Sequence, residues 1–152
     1  MSPKERLAEL GLELPPVTPP VAAYLPAVQS GNHVYVSGQV PVADGKLLAA
    51  GKVGAEVTTD EAKELARRCA LNALAAVDAL VGLDRVTRVV KVLGFVASAS
   101  GFTGQPAVVN GASELFAEVF GPAGQHARSA VGVAELPLGA PVEVEAIFEV
   151  AT

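Results

Sequence analysis

Three side chains of this sequence stand out as candidates for chemistry: Tyr24, Arg128 and Glu143. Arg128 opens an apolar run, where a cation needs an acidic partner or a ligand because an unpaired charge is costly away from water. The planar guanidinium suits a carboxylate, which it can bind through two parallel hydrogen bonds. Two interpretations therefore stay open: Arg128 binds a ligand, or it forms a structural ion pair with Glu143 across a closing hairpin.

Other common site chemistries lack their residues. One cysteine and two histidines (Cys69, His33 and His126) are too few for a closed structural zinc site, and we expect no metal. Each histidine is expected to be a surface or interface side chain with satisfied hydrogen bonds. The sequence contains no phosphate-binding glycine motif and no serine-nucleophile motif.

Composition excludes several classes of protein. Of the 152 residues, 51% are hydrophobic and 18% are charged, which excludes intrinsic disorder. A net charge of −5 argues against a nucleic-acid partner. No apolar run is long enough to span a membrane and no signal-peptide pattern is present, so a cytoplasmic location is expected.

Hydrophobic patterning predicts an α+β fold with the element order β-β-α-β-α-β-β. One mixed sheet would be covered by two helices on one face, and its other face would be buried in a closed homo-oligomer. Predicted strands are 33–37, 46–48, 86–96, 128–134 and 141–150, with a tight hairpin between the last two. Predicted helices are 58–82, with a capping box from Thr58 to Glu61, and 105–120. The buried stripe of the first helix is predicted to contain Leu65, Cys69, Ala73, Ala76, Val77 and Leu80.

The N-terminal segment has a different character from the rest of the chain. Pro15-Pro16 and Pro19-Pro20 follow a short helical candidate, and proline removes backbone donors and fixes φ. We therefore expect residues 1–20 to form an N-terminal extension with an extended strap, and residues 21–152 to form a single domain.

Motifs in both halves of the sequence resemble those of the RidA/YjgF family of reactive intermediate deaminases, also labelled L-PSP endoribonucleases. The C-terminal half is similar to the family pattern PARS-x-V, LP, (I/V)E(I/V)EAI through His126–Val131, Leu136-Pro137 and Val142–Ile147. The N-terminal half is similar to Y-x7-N…SGQ-x-P and to a VN pair through Tyr24, Gly31-Asn32, Ser37–Pro41 and Val109-Asn110. The similarity covers most of the chain and is greatest to a longer bacterial subgroup.

The resemblance implies a chorismate-mutase-like fold and a homotrimer with clefts between its subunits. It also implies hydrolysis, without a cofactor, of enamine or imine intermediates (2-imino acids) to 2-keto acids and ammonia, as in 2-iminobutanoate/2-iminopropanoate deaminases. Arg128 matches the arginine that binds the substrate carboxylate, and Glu143 matches the acid that positions or activates water. Tyr24 matches a cleft tyrosine from the neighbouring subunit. Further cleft positions correspond to Ser37, Gly38, Asn110 and Ala130.

The sequence departs from the family pattern near the implied cleft. Ala22-Ala23 replaces a Gly-Pro pair, His126 replaces the proline of PARS, and Ala130 replaces a frequent cysteine. Loop 97–105 is also longer. Two functions stay open: a deaminase, and a non-catalytic trimer that binds small carboxylates such as keto acids through Arg128. The net negative charge disfavours an endoribonuclease or translation inhibitor.

Overall fold

The computed structural model describes residues 1–17, 20 and 22–152, and it has the predicted α+β architecture. Thr18, Pro19 and Val21, which belong to the predicted strap and its junction with the domain, lie outside the described residues. The elements in chain order are α1 (Pro3–Glu9), β1 (Ala27–Ser30), β2 (His33–Gln39), β3 (Val42–Ala43), β4 (Lys46–Leu47), α2 (Thr59–Val81), β5 (Val86–Ala97), α3 (Gln105–Phe120), β6 (Ala127–Val133) and β7 (Val142–Val150).

Helix α2 begins at the predicted capping box. The Thr58 hydroxyl accepts a hydrogen bond from the Glu61 backbone N–H, and the Glu61 carboxylate accepts one from the Thr58 N–H. Cys69 is fully buried, as predicted, and burial raises the pKa of its thiol. Leu80 was predicted to be buried but is 44% exposed, because the buried stripe continues from Val77 to the partly buried Val81 instead.

Helices α2 and α3 pack closely side by side on one face of the sheet. A Cβ atom at Gly111 of α3 would lie 1.9 Å from the Lys63 carbonyl oxygen of α2, so glycine is required at this crossing. Beside the crossing, Arg67 Nη2 contacts Glu118 Oε2 at 2.8 Å. This contact fixes α3, which carries residues of the candidate site.

The main sheet has the strand order β1-β2-β7-β5-β6, and only the β5–β6 pair is parallel. The predicted hairpin between the last two strands is therefore wrong. Because β5, α3 and β6 form a β-α-β unit, β6 lies parallel to β5 on one side, and β7 pairs with β5 on the other.

Two further strand predictions need correction. The predicted strand at 46–48 is β4, which pairs with β3 in a separate hairpin and does not join the main sheet. The strand beside β2, at the edge opposite β6, is β1 instead. Sequence patterning missed β1 because only Ala27 of its four residues is buried and the polar–apolar alternation is absent.

Strand β7 alternates between the two faces of the sheet as predicted. Val142, Val144, Ala146 and Phe148 are buried under the helices, whereas Glu143, Glu145 and Ile147 lie on the opposite face. That opposite face also carries the exposed side chains of Tyr35, which pairs with Ile147 and Val28, and of Val28 and Val131. The homotrimer that would cover this face stays a prediction. Among the described residues no helix is long and apolar enough to cross a membrane.

Candidate functional site

The Glu143 cavity, a pocket of about 250 Å³, contains three of the predicted site residues: Tyr24, Gly38 and Glu143. Among the described residues Glu143 is the only carboxylate in its lining, and Tyr24, which also lines it, is 49% exposed. The remaining lining is mainly apolar and consists of Pro20, Pro26, Gln39, Val40, Val42, Gly45, Pro137 and Leu138. The cavity thus presents one acidic group to a largely hydrophobic space.

A bulge in β2 makes room for the Glu143 side chain. The pairing of β2 with β7 shifts register between Val36 and Gln39, and the bulged segment contains Gly38. A Cβ atom at Gly38 would lie 2.2 Å from Glu143 Oε2, so any larger residue would displace the carboxylate. Only glycine lets β2 pass this close to the acid.

The Glu143 carboxylate is half-buried and has no stabilising partner. Within the described residues it makes no hydrogen bond and no ion pair. Burial raises the pKa of Glu143, and the nearby charge of Glu145 raises it further. A carboxylate with a raised pKa and an open face is suited to accept a proton from a water molecule.

Ser37 lies next to the Glu143 cavity but does not line it. Its hydroxyl donates a hydrogen bond of 2.6 Å to the Leu25 carbonyl, and its backbone N–H donates one to the Pro26 carbonyl. These two hydrogen bonds connect strand β2 to the segment that contains Tyr24.

Arg128 lies on β6 and points toward α3. Its Nη1 donates to Asn110 Oδ1 at 2.8 Å and to Ser113 Oγ at 3.2 Å, and its Nη2 lies 3.4 Å from the Pro106 carbonyl oxygen. Every one of these acceptors is a neutral oxygen. Within the described part of the chain Arg128 has no carboxylate partner, and its Nε donates no hydrogen bond. Nε–H and the second hydrogen of Nη2 therefore have no acceptor among the described residues, and a carboxylate could accept hydrogen bonds from these two N–H groups.

Ala130 lies on the same face of β6 as Arg128. Its partner on β5 is Gly94, where a Cβ atom would lie 2.3 Å from Val109 Cγ2 on α3. Small residues at both positions let α3 approach the sheet, and this approach brings Asn110 within reach of Arg128.

Arg128 and Glu143 lie on opposite faces of the sheet. Arg128 pairs with Val92 of β5, whose side chain is buried under the helices, whereas Glu143 pairs with Phe95 on the other face. The structural ion pair between Arg128 and Glu143 is therefore wrong for a single chain. The predicted site residues fall into two separate groups: one around Arg128 and one around Glu143.

The structure adds Ser113 to the residues around Arg128. Ser113 follows Asn110 by three positions on α3, and this spacing places both on one face of the helix. His126 has both ring nitrogens in hydrogen bonds, as expected for a satisfied histidine. Among the described residues no cluster of three His, Cys, Asp or Glu side chains could hold a metal ion.

Comparison with known proteins gives consistent matches along the chain. Residues 4–149 match the sequence model of the family described as "YjgF/chorismate_mutase-like, putative endoribonuclease". Protein TCP17 of Trypanosoma cruzi is 48% identical over 94% of this chain and 91% of its own length. A 2-iminobutanoate/2-iminopropanoate deaminase of Dermatophagoides farinae is 35% identical over 97% of both chains. The crystal structure of Atu1372 from Agrobacterium tumefaciens, of unknown function, superposes with a TM-score of 0.90 at 46% identity, covering 98% of this chain and 92% of that one.

Proposed function

Because the chain belongs to the YjgF/chorismate-mutase-like family, the RidA family indicated by its motifs, we propose that it hydrolyses 2-imino acids to 2-keto acids and ammonia. One observation carries this proposal: among the described residues Arg128 is held only by neutral oxygens, and its Nε–H and one Nη2 hydrogen have no acceptor. A partly buried cation arranged in this way is built to receive an anion from a ligand.

A 2-imino acid offers what the two groups of residues require. Its carboxylate would bind these two N–H groups of Arg128, which fixes the position of the adjacent C=N carbon. Its protonated imine is already electrophilic, so the protein must supply only a positioned water molecule and a group that accepts a proton. Glu143, unpaired and with a raised pKa, is the acid suited to this role.

The proposed reaction is balanced when the Glu143 carboxyl group moves two protons in turn. Glu143 accepts a proton from water as the water oxygen bonds to the C=N carbon of the protonated imine, which gives a tetrahedral carbinolamine. That proton passes to the nitrogen, and Glu143 then accepts the hydroxyl proton of the carbinolamine as the C–N bond breaks and ammonia leaves. The carbon keeps the water oxygen as the carbonyl oxygen of the 2-keto acid, and the proton on Glu143 is released with ammonia as ammonium.

We place this reaction in a cleft between two copies of the chain. Arg128 and Glu143 lie on opposite faces of the sheet, so one small substrate cannot touch both within a single chain. Arg128 is on the edge strand β6, where the residues around it can meet the Glu143 cavity of a second copy. In this arrangement Tyr24 and Gly38 would come from the subunit that supplies Glu143.

The apolar lining of the Glu143 cavity supports a substrate with an aliphatic side chain. Val40, Val42 and Pro137 offer hydrophobic contacts, and within the described part of the chain Glu143 is the only carboxylate there. Imines of aliphatic amino acids therefore fit this cavity better than imines with charged side chains.

Mixing two inactive variants tests both the reaction and the shared cleft. An amino-acid oxidase or threonine dehydratase generates the imine, and semicarbazide competes for it while keto-acid formation is followed. We expect Arg128→Ala and Glu143→Gln to be inactive separately. Unfolded and refolded together at equal amounts, they should regain about one quarter of the wild-type activity, the fraction of interfaces with both native groups. No recovery would show that each site lies within one chain.

A non-catalytic carboxylate-binding protein is the second candidate, because the residues around Arg128 alone would suffice for binding. This candidate predicts that the wild-type protein binds 2-oxobutanoate but does not accelerate imine hydrolysis. Calorimetric titration with 2-oxobutanoate beside the imine assay separates the two functions.

A further inference from the structure

We propose that Ser113 and His126 are positioning residues that orient the Arg128 guanidinium and thereby tune the affinity of the site for a carboxylate. This inference rests on the proposed function of Arg128. The resemblance assigns no role to either residue: Ser113 lies outside the matched motifs, and His126 stands where the family pattern has the proline of PARS. Together with Asn110 and Arg128, these two residues form what we call the Arg128 cluster.

A directed chain of hydrogen bonds connects the two residues to Arg128. His126 Nδ1 lies 2.6 Å from the Gly124 carbonyl oxygen, which can only accept, so Nδ1 carries a hydrogen. In the neutral ring Nε2 is then an acceptor, and the Ser113 hydroxyl donates to it at 2.9 Å. With its hydrogen committed to His126, Ser113 Oγ presents a lone pair to Arg128 Nη1 at 3.2 Å.

The surroundings of His126 keep the ring in place and neutral. The ring makes an edge contact with the fully buried Phe116, with ring centres 6.0 Å apart and an interplanar angle of 86°. Burial lowers the pKa of His126; the hydrogen bond to Gly124 opposes this shift, and the charge of Arg128 adds to it. A neutral ring is the form that accepts the Ser113 hydrogen.

The bonds to Asn110 and Ser113 restrain the guanidinium plane more than the remaining contact can. Nη1 has two hydrogens: one bonds Asn110 and the other bonds Ser113. Without Ser113 the group would keep the bond to Asn110 and the longer contact of 3.4 Å from Nη2 to the Pro106 carbonyl oxygen, which is a weaker restraint on its plane. Recognition of a carboxylate by two parallel N–H groups depends on that plane, so its loss should weaken binding rather than proton transfer.

Substitutions at the two positions separate orientation from catalysis. Ser113→Ala and His126→Phe should each raise KM, and the Kd for 2-oxobutanoate, about tenfold, with kcat within about twofold of wild type. Ser113→Thr keeps the hydroxyl and should restore both constants. Thr152→Ala, at an exposed position after β7 and outside the cluster, removes a hydroxyl elsewhere and is the control that should leave both unchanged. Equal falls in kcat for Ser113→Ala and Ser113→Thr would overturn the inference.

A spectroscopic measurement keeps the inference testable apart from the proposed function. Nitrogen-15 NMR of the full-length protein should show resolved, slowly rotating Arg128 Nη signals in the wild type and in Ser113→Thr. The signals should be averaged in Ser113→Ala and His126→Phe. Retained, resolved signals in Ser113→Ala overturn the inference even if the protein hydrolyses imines.

If the protein neither hydrolyses imines nor binds 2-oxobutanoate, the proposed function fails, and the same NMR series still decides whether the cluster orients Arg128. Should His126→Phe fail to fold, Ser113→Ala alone decides.

Discussion

The Arg128 cluster and the Glu143 cavity differ in how their charged groups are hydrogen-bonded. Arg128 donates three hydrogen bonds to neutral oxygens, which hold the side chain while leaving its charge without a counter-ion. Glu143 accepts no hydrogen bond within the described residues and is packed against Gly38. The Arg128 guanidinium is therefore held by hydrogen bonds, whereas the negative charge of Glu143 is poorly stabilised.

This difference matches the different tasks that we propose for the two groups. A group that binds a substrate benefits from a fixed orientation, because less freedom is lost on binding. A general base benefits from a raised pKa and from lone pairs that are free to accept a proton. The hydrogen bonds that hold Arg128, and the absence of hydrogen bonds to Glu143 among the described residues, are therefore both consistent with roles in one reaction.

The largest effect should follow from removing the proposed base. Glu143→Gln keeps the size of the side chain but cannot accept a proton, and we expect kcat to fall about 100-fold to 10,000-fold. The Kd for 2-oxobutanoate, measured by calorimetry, should stay near the wild-type value, because the Arg128 cluster is untouched. A fall in kcat below threefold would exclude Glu143 as the base.

Removal of the proposed binding group should affect affinity as well as rate. Arg128→Ala should lower kcat/KM by about 100-fold to 1,000-fold, because it deletes the charged partner of the substrate carboxylate. Calorimetry should detect no binding of 2-oxobutanoate. Arg128→Lys serves as the comparison, since it keeps the charge and loses the planar two-pronged contact. Binding in Arg128→Ala that equals wild type would contradict the assignment.

A smaller effect is expected from crowding the Glu143 carboxylate. Gly38→Ala places a Cβ atom 2.2 Å from the present position of Glu143 Oε2, so the carboxylate must shift. We expect kcat to fall about tenfold, with little change in the Kd for 2-oxobutanoate. Gly45→Ala, which also borders the cavity, has no atom within 4 Å of the added Cβ and controls for substitution on this side. Its positive φ requires a parallel check of thermal stability.

The smallest effect concerns the pH dependence of stability. The pKa of Glu143 is raised in the folded protein, so the folded state binds this proton more tightly than the unfolded chain does. The associated stabilisation is present below the ordinary glutamate pKa and is lost as pH rises through the raised folded pKa. Glu143→Gln should therefore gain stability relative to wild type across that window and keep the gain at higher pH. Urea unfolding at a series of pH values measures this difference, and a gain that shrinks as pH rises would contradict the raised pKa.

Local patterns in the sequence were sufficient for the helices and for the faces of β7. The capping box at Thr58 and the limits of α3, Gln105–Phe120, depend on hydrogen bonds and apolar spacing within a few residues. The alternation in β7 likewise depends on nearest neighbours. The motif positions also singled out Tyr24, Arg128 and Glu143, whose roles in a site stay predictions.

Only the tertiary structure decided how these residues are distributed in space. Strand order depends on which distant edges pair, and the sequence of β6 and β7 fits a hairpin as well as the observed placement on either side of β5. That placement puts Arg128 and Glu143 on opposite faces and rules out an ion pair between them within one chain. The hydrogen bond from Arg128 to Ser113 joins β6 to α3, and the bond from Ser113 to His126 joins α3 to the segment before β6. These elements meet because Gly94 lets α3 approach the sheet. The sequence by itself determined which groups are present and how each local segment folds, because those properties depend on near neighbours; packing between distant segments decided which groups meet.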